Sequence, residues 1–130
     1  MRLLVDSDFL IALTKEDDTN HITATTKAER YQLASIFVTP FVIPEAATVL
    51  SYRVSHEAAK RFLKGVRSSG LIVLPHDEVI THDTDEFFLV QRRKGTSWVD
   101  CCNVTTVRAY QLDGILSFDA FYRKVSLKVF

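Results

Sequence analysis

The chain has 130 residues, of which 47% are hydrophobic and 25% are charged. This composition excludes an intrinsically disordered chain, and the length predicts a single domain over residues 1–130. Sixteen basic and sixteen acidic residues balance, so nucleic acid could be bound only through local basic patches or a bound cation.

The sequence shows no signal for membrane insertion or export. No apolar stretch reaches the roughly 18 residues of a membrane span, and the N-terminus lacks the pattern of a secretory leader. Cys101 and Cys102 are adjacent, which suits neither a structural disulfide nor a Cys-x-x-Cys metal pair. We therefore expect a reduced, cytoplasmic protein with no membrane partner.

Short apolar runs alternate with segments of helical length. The strands expected in chain order are 2–5, 35–40, 70–75 and 113–118, with an alternating edge strand at 124–130. After two short helices in the first forty residues, longer helices are expected within 44–55, 55–70, 76–95 and 97–114. This alternation predicts an α/β domain with a mainly parallel sheet.

Acidic residues follow two of the expected strands directly. Asp6 and Asp8 come after the apolar run that ends at Val5. Asp119 follows a second, largely apolar run, ILSF at 115–118. In a parallel sheet the carboxyl ends of the strands share one edge, and functional crevices lie at that edge. We therefore expect these acids to lie close together.

Two further acids stand near helix starts. Glu45 and Asp100 each head one helix face, so both charges are expected above a buried surface. The residues expected beneath them are Thr48, Val49 and Tyr52 in one helix and Asn103, Val104 and Val107 in the other. A helix N-terminus favours an acid, which would explain either one alone. Convergence of acids from remote segments favours a shared site instead.

A cluster of carboxylates needs a positive charge. The acids would repel one another and their pKa values would rise unless a cation neutralised them. Oxygen ligands without histidine or cysteine select Mg²⁺ or Mn²⁺ rather than zinc. Such sites activate water and stabilise charge on a phosphoryl group. The pattern therefore indicates metal-assisted phosphate chemistry.

Four segments carry a family resemblance. The stretches LLVDSDFLIAL, IPEAATVL, SWVDCCNVTTVRA and GILSFDAFYRK resemble, in order and spacing, the four motifs of PIN-domain ribonucleases, most closely the VapC-type toxins of toxin–antitoxin pairs. The resemblance implies a PIN-like three-layer fold with a mainly parallel central sheet flanked by helices. It also implies Mg²⁺- or Mn²⁺-dependent RNA hydrolysis, neutralisation by a cognate antitoxin, and a homodimer.

The resemblance assigns roles to single residues. It makes four acids the metal-binding and catalytic residues: Asp6, Glu45, Asp100 and Asp119. Ser7 and Ser117 match hydroxyl residues beside the first and last acids, and Asn103 is a further supporting candidate. Asp8 departs from the family, which more often has a neutral polar residue there. A metal role and a simple helix cap both stay open for Asp8.

Basic residues form two groups. Lys60, Lys64 and Arg67 share one helix face, with Arg53 nearby, and a second basic run occupies 92–94. The first group is either an ordinary solvated face or a stripe that tracks RNA phosphates. The second group is open to the same two interpretations, or could contact an acidic segment of a partner protein.

Several alternatives remain open from sequence. A PIN-like fold could bind RNA or protein without catalysis, although such a protein would usually have lost its acids. LLVDSDFL also resembles the start of haloacid-dehalogenase-type phosphatases, in which Asp6 would be the nucleophile. The substrate could be DNA, since carboxylates and magnesium do not recognise a 2′-hydroxyl. Trp98 could stack on a base, but packing beside its helix start is favoured.

The first forty residues carry more apolar side chains than two short helices require for a small core. These are Ile11, Leu13, Ile22, Tyr31, Leu33 and Ile36. An unburied surface of this kind indicates a dimer face or a groove for an antitoxin segment.

Overall fold

The computed structural model describes residues 1–130. Its elements in chain order are β1 (Arg2–Val5), α1 (Ser7–Thr14), α2 (His21–Arg30), β2 (Ser35–Val38), α3 (Val42–Arg53), α4 (His56–Arg67), β3 (Ile72–Val73), α5 (Glu78–Leu89), α6 (Trp98–Ala109), β4 (Gly114–Leu116) and α7 (Ala120–Lys124). The strands form one sheet in the order β3-β2-β1-β4, and every pairing is parallel, which confirms the predicted sheet. None of the helices combines the length and apolarity needed to cross a bilayer.

Helices cover both faces of the sheet. Successive side chains of a strand point to opposite faces, so β1 contributes to two separate cores. Leu3 and Val5 pack with residues of α1 to α4, whereas Leu4 packs with residues of α6 and α7. Burial of each such side chain contributes about 2 kcal/mol relative to exposure. The arrangement is the predicted three-layer fold.

The order in which strands are added to the sheet reverses at β1. The chain proceeds from β1 to β2 on one side, and β4 later pairs with the other side of β1. The backbone N–H of Asp6 donates to the carbonyl of Leu116 at 3.0 Å, so the two strands end side by side. In open parallel sheets such a switch point forms the binding crevice.

Local sequence explains where several helices start. Ser55 accepts a hydrogen bond from the backbone N–H of Ala58 at 3.0 Å, and Ser97 accepts bonds from two N–H groups in the first turn of α6. These are N-terminal caps that satisfy otherwise unpaired backbone donors. Pro44 lies in the first turn of α3, where its missing N–H costs nothing.

Two predicted strands differ from the structure. The expected edge strand at 124–130 is wrong: only an isolated parallel bridge joins Ile115 to Val129. Ser126 has φ 62°, so the backbone turns there and too little extended chain remains for a strand. The buried strand expected at 70–75 is only β3, and its Ile72 and Val73 are 47% and 41% exposed. This strand lies at the edge of the sheet.

Gly114 allows the C-terminal segment to pack closely on β4. It has φ 157°, and a Cβ there would overlap the Lys128 carbonyl oxygen and lie 2.7 Å from a ring carbon of Phe130. We expect Gly114→Ala to lower the free energy of unfolding by about 1–3 kcal/mol, as overpacking does. Urea unfolding measures this loss.

Gly65 provides the matched control for that substitution. It lies inside α4 with no atom within 4 Å of an added Cβ. Gly65→Ala should therefore stabilise the protein by about 0.5–1 kcal/mol. Equal effects of the two substitutions would contradict the importance of the close approach at Gly114.

Candidate functional site

Asp6 is the buried centre of a hydrogen-bond network at the switch point. Its side chain is 3% exposed. One oxygen, Oδ1, accepts bonds from the Ser7 N–H at 2.7 Å and from Asn103 Nδ2 at 3.1 Å. The other, Oδ2, accepts bonds from the Tyr122 hydroxyl at 2.9 Å and the Ser117 hydroxyl at 3.1 Å. Four donors thus fix the orientation of this carboxylate.

The surroundings of Asp6 oppose its negative charge. Burial, followed by the charges of Asp8 and Asp100, raises its pKa from 3.8 to about 8. The hydrogen bond from Tyr122 acts in the opposite direction but is outweighed. Near neutral pH this carboxyl group therefore retains a proton unless a positive charge stabilises its anion.

Asp8 ties α1 to the loop after β4. Its Oδ2 accepts bonds from the Phe118 N–H at 2.8 Å and the Ser117 hydroxyl at 3.0 Å. Its Oδ1 is buried and has no hydrogen-bond partner. Burial raises the pKa of Asp8, and the two hydrogen bonds lower it only in part. The cap of α1 is Asp6 rather than Asp8, so the helix-cap interpretation of Asp8 is wrong.

Asp100 joins the same network from α6. Its Oδ1 accepts a bond from the Tyr122 hydroxyl at 3.2 Å, so this hydroxyl lies between Asp6 and Asp100. Burial, together with the charges of Asp119, Glu45 and Asp8, raises the pKa of Asp100 from 3.8 to about 6, although the Tyr122 hydrogen bond lowers it in part. Asp100 therefore lies within electrostatic reach of Asp8, Glu45 and Asp119.

Glu45 and Asp119 lie toward the surface. Glu45 is half-buried in the first turn of α3, and Asp119 is exposed at the start of α7. Asp119 caps α7 by accepting a bond from the Phe121 N–H at 2.8 Å. Its own backbone N–H donates to the Ser117 hydroxyl at 3.0 Å. The exposure of the acids thus increases from Asp6, which is buried, through Glu45 to Asp119 at the surface.

The carboxylates are bridged by hydroxyl groups rather than in direct contact. Ser117 links Asp6 to Asp8, and Tyr122 links Asp6 to Asp100. As they stand, no three histidine, cysteine or acidic side chains are placed closely enough to hold a metal ion together.

The chemistry of the donors nonetheless fits a hard divalent cation. All the candidate ligands are carboxylates, and Asp8 offers a buried oxygen without a partner. The protein supplies no ion pair to any of these acids, because its two salt bridges join Lys15 to Asp17 and Lys60 to Glu57. The network therefore holds its acids through hydrogen bonds rather than ion pairs.

Tyr122 is the site residue that sequence reasoning missed. It is fully buried, donates to Asp6 and Asp100, and accepts a bond from Asn103 Nδ2 at 2.9 Å. Burial and the two neighbouring charges raise its pKa, so the hydroxyl keeps its proton. Its position three residues after Asp119 in a helix was the only available signal. A tyrosine there is equally typical of a core residue.

Removal of the Tyr122 hydroxyl should cost stability in a pH-dependent manner. The hydroxyl stabilises the anion of Asp6, so its loss matters more when that group is deprotonated. We expect Tyr122→Phe to lower the free energy of unfolding by about 1 kcal/mol at pH 8 and by less at pH 5. Urea unfolding at both pH values measures this difference.

Tyr110 is the matched control, because its hydroxyl donates to the Pro75 carbonyl at 2.6 Å, away from the acids. Tyr110→Phe should lose the same stability at both pH values. An equally pH-independent loss in Tyr122→Phe would contradict the electrostatic role of that hydroxyl.

Comparison with known proteins places the chain in a family. Residues 3–127 match the PIN domain family. The chain belongs to the PIN domain family. No curated protein matches it in sequence. This membership leaves the phosphatase alternative without support.

Two solved structures share the PIN fold of this chain. One is the VapC20 toxin of Mycobacterium tuberculosis, which cleaves the sarcin–ricin loop; it is 20% identical with a TM-score of 0.87, over 97% of this chain and 96% of that one. The other is VapBC2 from Rickettsia felis bound to a promoter DNA fragment; it is 13% identical with a TM-score of 0.75, over 100% and 98% of the chains. At these identities the likeness establishes the fold.

One predicted face of this PIN domain differs from the structure. The face beneath Glu45 is only partly buried, because Val49 packs against the core whereas Thr48 is exposed and Tyr52 is 88% exposed. The buried residues of α3 are instead Val42, Ile43, Ala46 and Leu50. Trp98 packs edge-on against Phe41 and donates to Asp85 at 2.8 Å, which agrees with the favoured prediction that it packs beside its helix start.

The first basic group lies outside the acidic network. Lys60, Lys64 and Arg67 are exposed on α4, and Arg53 is exposed at the end of α3. Lys60 pairs with Glu57 at 3.3 Å. None of the four lines a cavity shared with the acids. A role of this group in RNA binding remains a prediction.

Proposed function

We propose that this PIN domain is a metal-dependent endoribonuclease of the VapC toxin type. The observation that carries the proposal is the buried carboxylate of Asp6, held by four donors among acids that form no salt bridge with a basic side chain. Burial of such acids is unfavourable for folding, so the cluster is not explained by a contribution to stability. The RNA-cleaving activity of the structurally similar VapC20 supports the assignment.

The residues proposed to hold Mg²⁺ or Mn²⁺ are Asp6, Glu45, Asp100 and Asp119, and the free oxygen of Asp8 makes it a fifth candidate. When bound, the cation supplies Lewis acidity for water activation and positive charge against the phosphate. The family resemblance and the all-oxygen donor set support these roles.

Residues of the chain prepare the acids for this chemistry. Asn103, Ser117 and Tyr122 fix the Asp6 carboxylate through hydrogen bonds to both oxygens. Because Tyr122 keeps its proton, it acts only as a donor to the two acids. Asp100 accepts a hydrogen bond from Tyr122 and lines the open cavity together with Asp119, so it lies where both a cation and the substrate can reach it.

A cognate antitoxin is proposed as the partner that silences the enzyme. Two adjacent cavities of about 660 and 390 Å³ share Thr14, Arg61 and Phe62 and form a groove between α1 and α4. Apolar residues on its floor suit an amphipathic segment of a partner. The structurally similar VapBC2 is itself an assembly, which supports a protein partner for this fold.

Homodimerisation and a cytoplasmic location accompany this proposal. Of the apolar residues singled out near the N-terminus, Ile11 is only 7% exposed and belongs to the core, whereas Ile22 and Leu33 are 80% and 96% exposed. Residues such as these two are candidates for a contact between copies.

Matched RNA and DNA strands of one sequence test the substrate class. We expect partner-free protein to cleave the RNA strand in Mn²⁺, to leave the DNA strand intact, and to stop when a chelator is added. Cleavage of DNA alone would replace the ribonuclease by a deoxyribonuclease. Binding of RNA without cleavage would favour the non-catalytic alternative.

A further inference from the structure

A cavity of about 160 Å³ opens beside the outer acids. The residues that line it are Arg93, Lys94, Gly95, Thr96, Asp100, Asp119 and Phe121. The lining therefore combines two carboxylates of the proposed catalytic site with two cations. Its mixed lining suits a charged ligand rather than an apolar one.

The two cations of this cavity are not used within the protein. Arg93 and Lys94 are exposed, and neither takes part in a salt bridge, although Asp100 and Asp119 line the same cavity. Both therefore remain available to an anion that enters from outside. Arginine matches the oxygens of a phosphate geometrically, whereas lysine contributes a point charge.

The cations stand on a defined turn. The hydroxyl of Thr96 donates to the Arg93 carbonyl at 2.7 Å, and its backbone N–H donates to the same carbonyl at 3.3 Å. Gly95 has φ 84°, a conformation that favours glycine. The turn leads directly into the Ser97 cap of α6, which carries Asp100. Its position relative to that acid is thus built into the fold.

We propose that the turn at 93–96 is a phosphate-binding subsite that anchors the RNA backbone beside the acids. The inference rests on the proposed ribonuclease function and extends it to a specific binding surface. Because the net charge of the chain is zero, attraction of RNA must come from local cations. Arg93 and Lys94 are the cations that share a cavity with the proposed catalytic acids.

Arg92 offers a matched control for a test of this subsite. It is exposed and adjacent in sequence but does not line the cavity. Binding of a short, labelled, single-stranded RNA of mixed sequence is measured by fluorescence anisotropy in chelator over a range of salt. We expect Arg93→Ala with Lys94→Ala to weaken binding about tenfold or more, and Arg92→Ala by less than about twofold.

The salt dependence of RNA binding distinguishes direct contacts between these cations and phosphates from a general electrostatic attraction. Loss of two phosphate contacts should reduce the slope of log Kd against log salt by about 1.4, since each contact to a single strand contributes about 0.7. Equal losses in Arg92→Ala and in the double variant would overturn the subsite. So would an unchanged double variant, or a double variant that loses binding of an oligoglutamate peptide but not of RNA.

Cleavage rates separate this inference from the function on which it rests. If wild type cleaves RNA in Mn²⁺ and the double variant binds and cleaves normally, the subsite is wrong and the nuclease stands. If wild type binds RNA through these cations but does not cleave it, the subsite stands and the proposed activity fails. We expect intact cleavage by wild type and a rise of about tenfold in KM for the double variant.

Discussion

Asp100→Asn is expected to reduce Mn²⁺-dependent RNA cleavage by about a thousandfold or more. The amide keeps the shape of the side chain and its carbonyl can still accept the Tyr122 hydroxyl bond. It removes a negatively charged ligand from the proposed metal site, so the cation should bind more weakly there. Initial rates on a labelled RNA, at saturating Mn²⁺, measure this loss.

The same substitution should leave the fold intact. Burial and neighbouring charges disfavour the anion of Asp100, so its neutral replacement should unfold at the same temperature as wild type or higher. Asp83→Asn, at an exposed carboxylate of α5, is the control and should cleave at the wild-type rate. A variant of Asp100 that retained more than about a tenth of the activity would contradict its role.

Metal-free protein is expected to lose stability as the pH rises from about 4 to about 8. The folded-state pKa values of Asp6 and Asp100, about 8 and about 6, both exceed the ordinary value of 3.8. In this interval the unfolded chain releases protons that the folded protein retains, so deprotonation favours unfolding. The contribution is fully present below the ordinary pKa and is lost as the pH passes the folded-state values.

Comparison with Asp6→Asn isolates this effect from other titrating groups. Thermal unfolding in chelator should show a flatter pH dependence in the variant and a Tm several degrees above wild type at pH 8. Asp83→Asn should follow the wild-type curve. Wild-type stability that rose with pH relative to Asp6→Asn would contradict the raised pKa of Asp6.

Mn²⁺ should reverse the loss in wild type. A cation that binds the folded state raises Tm, and it binds better when the carboxylates are deprotonated. The increase should therefore be larger at pH 8 than at pH 5 and absent in Asp6→Asn. Stabilisation of both proteins to the same extent would place the cation elsewhere.

The layout of the fold was predictable because its signals are local and strong. Apolar runs end at Val5 and Leu116, and the acids that follow them meet because neighbouring parallel strands end at one edge. Ser97 caps α6 by a local hydrogen bond, so the start of that helix was also readable. Each strand end and helix cap depends on residues within a few positions, and the parallel sheet then brings the distant strand ends to one edge.

The missed features depend on tertiary packing. The helices α4, α5 and α6 end at Arg67, Leu89 and Ala109, three to six residues before the ends of the expected ranges at 70, 95 and 114. The face of α3 that carries Tyr52 has the spacing of a buried face, but Tyr52 itself is 88% exposed and only lines an open cavity with residues of α4. Periodicity identifies an amphipathic helix without showing which side a neighbour will cover.

The site shows the same limit. Asp6 and Tyr122 are separated by more than a hundred positions in sequence, and their hydrogen bond arises because α7 returns to the end of β1. The free oxygen of Asp8 likewise follows from the placement of Ser117 and the Phe118 backbone. The sequence predicted the acids at the strand ends, but it did not predict the hydrogen bonds through which Ser117 and Tyr122 bridge them.

Cleavage of total cellular RNA by partner-free protein in Mn²⁺, with Asp119→Asn as the control, tests the central claim most directly. We predict discrete products from wild type, none from Asp119→Asn, and none from wild type in chelator. Mapping of the product ends would then identify the target. Equal cleavage by wild type and Asp119→Asn, or cleavage that survives chelation, would contradict a metal-dependent ribonuclease built on these carboxylates.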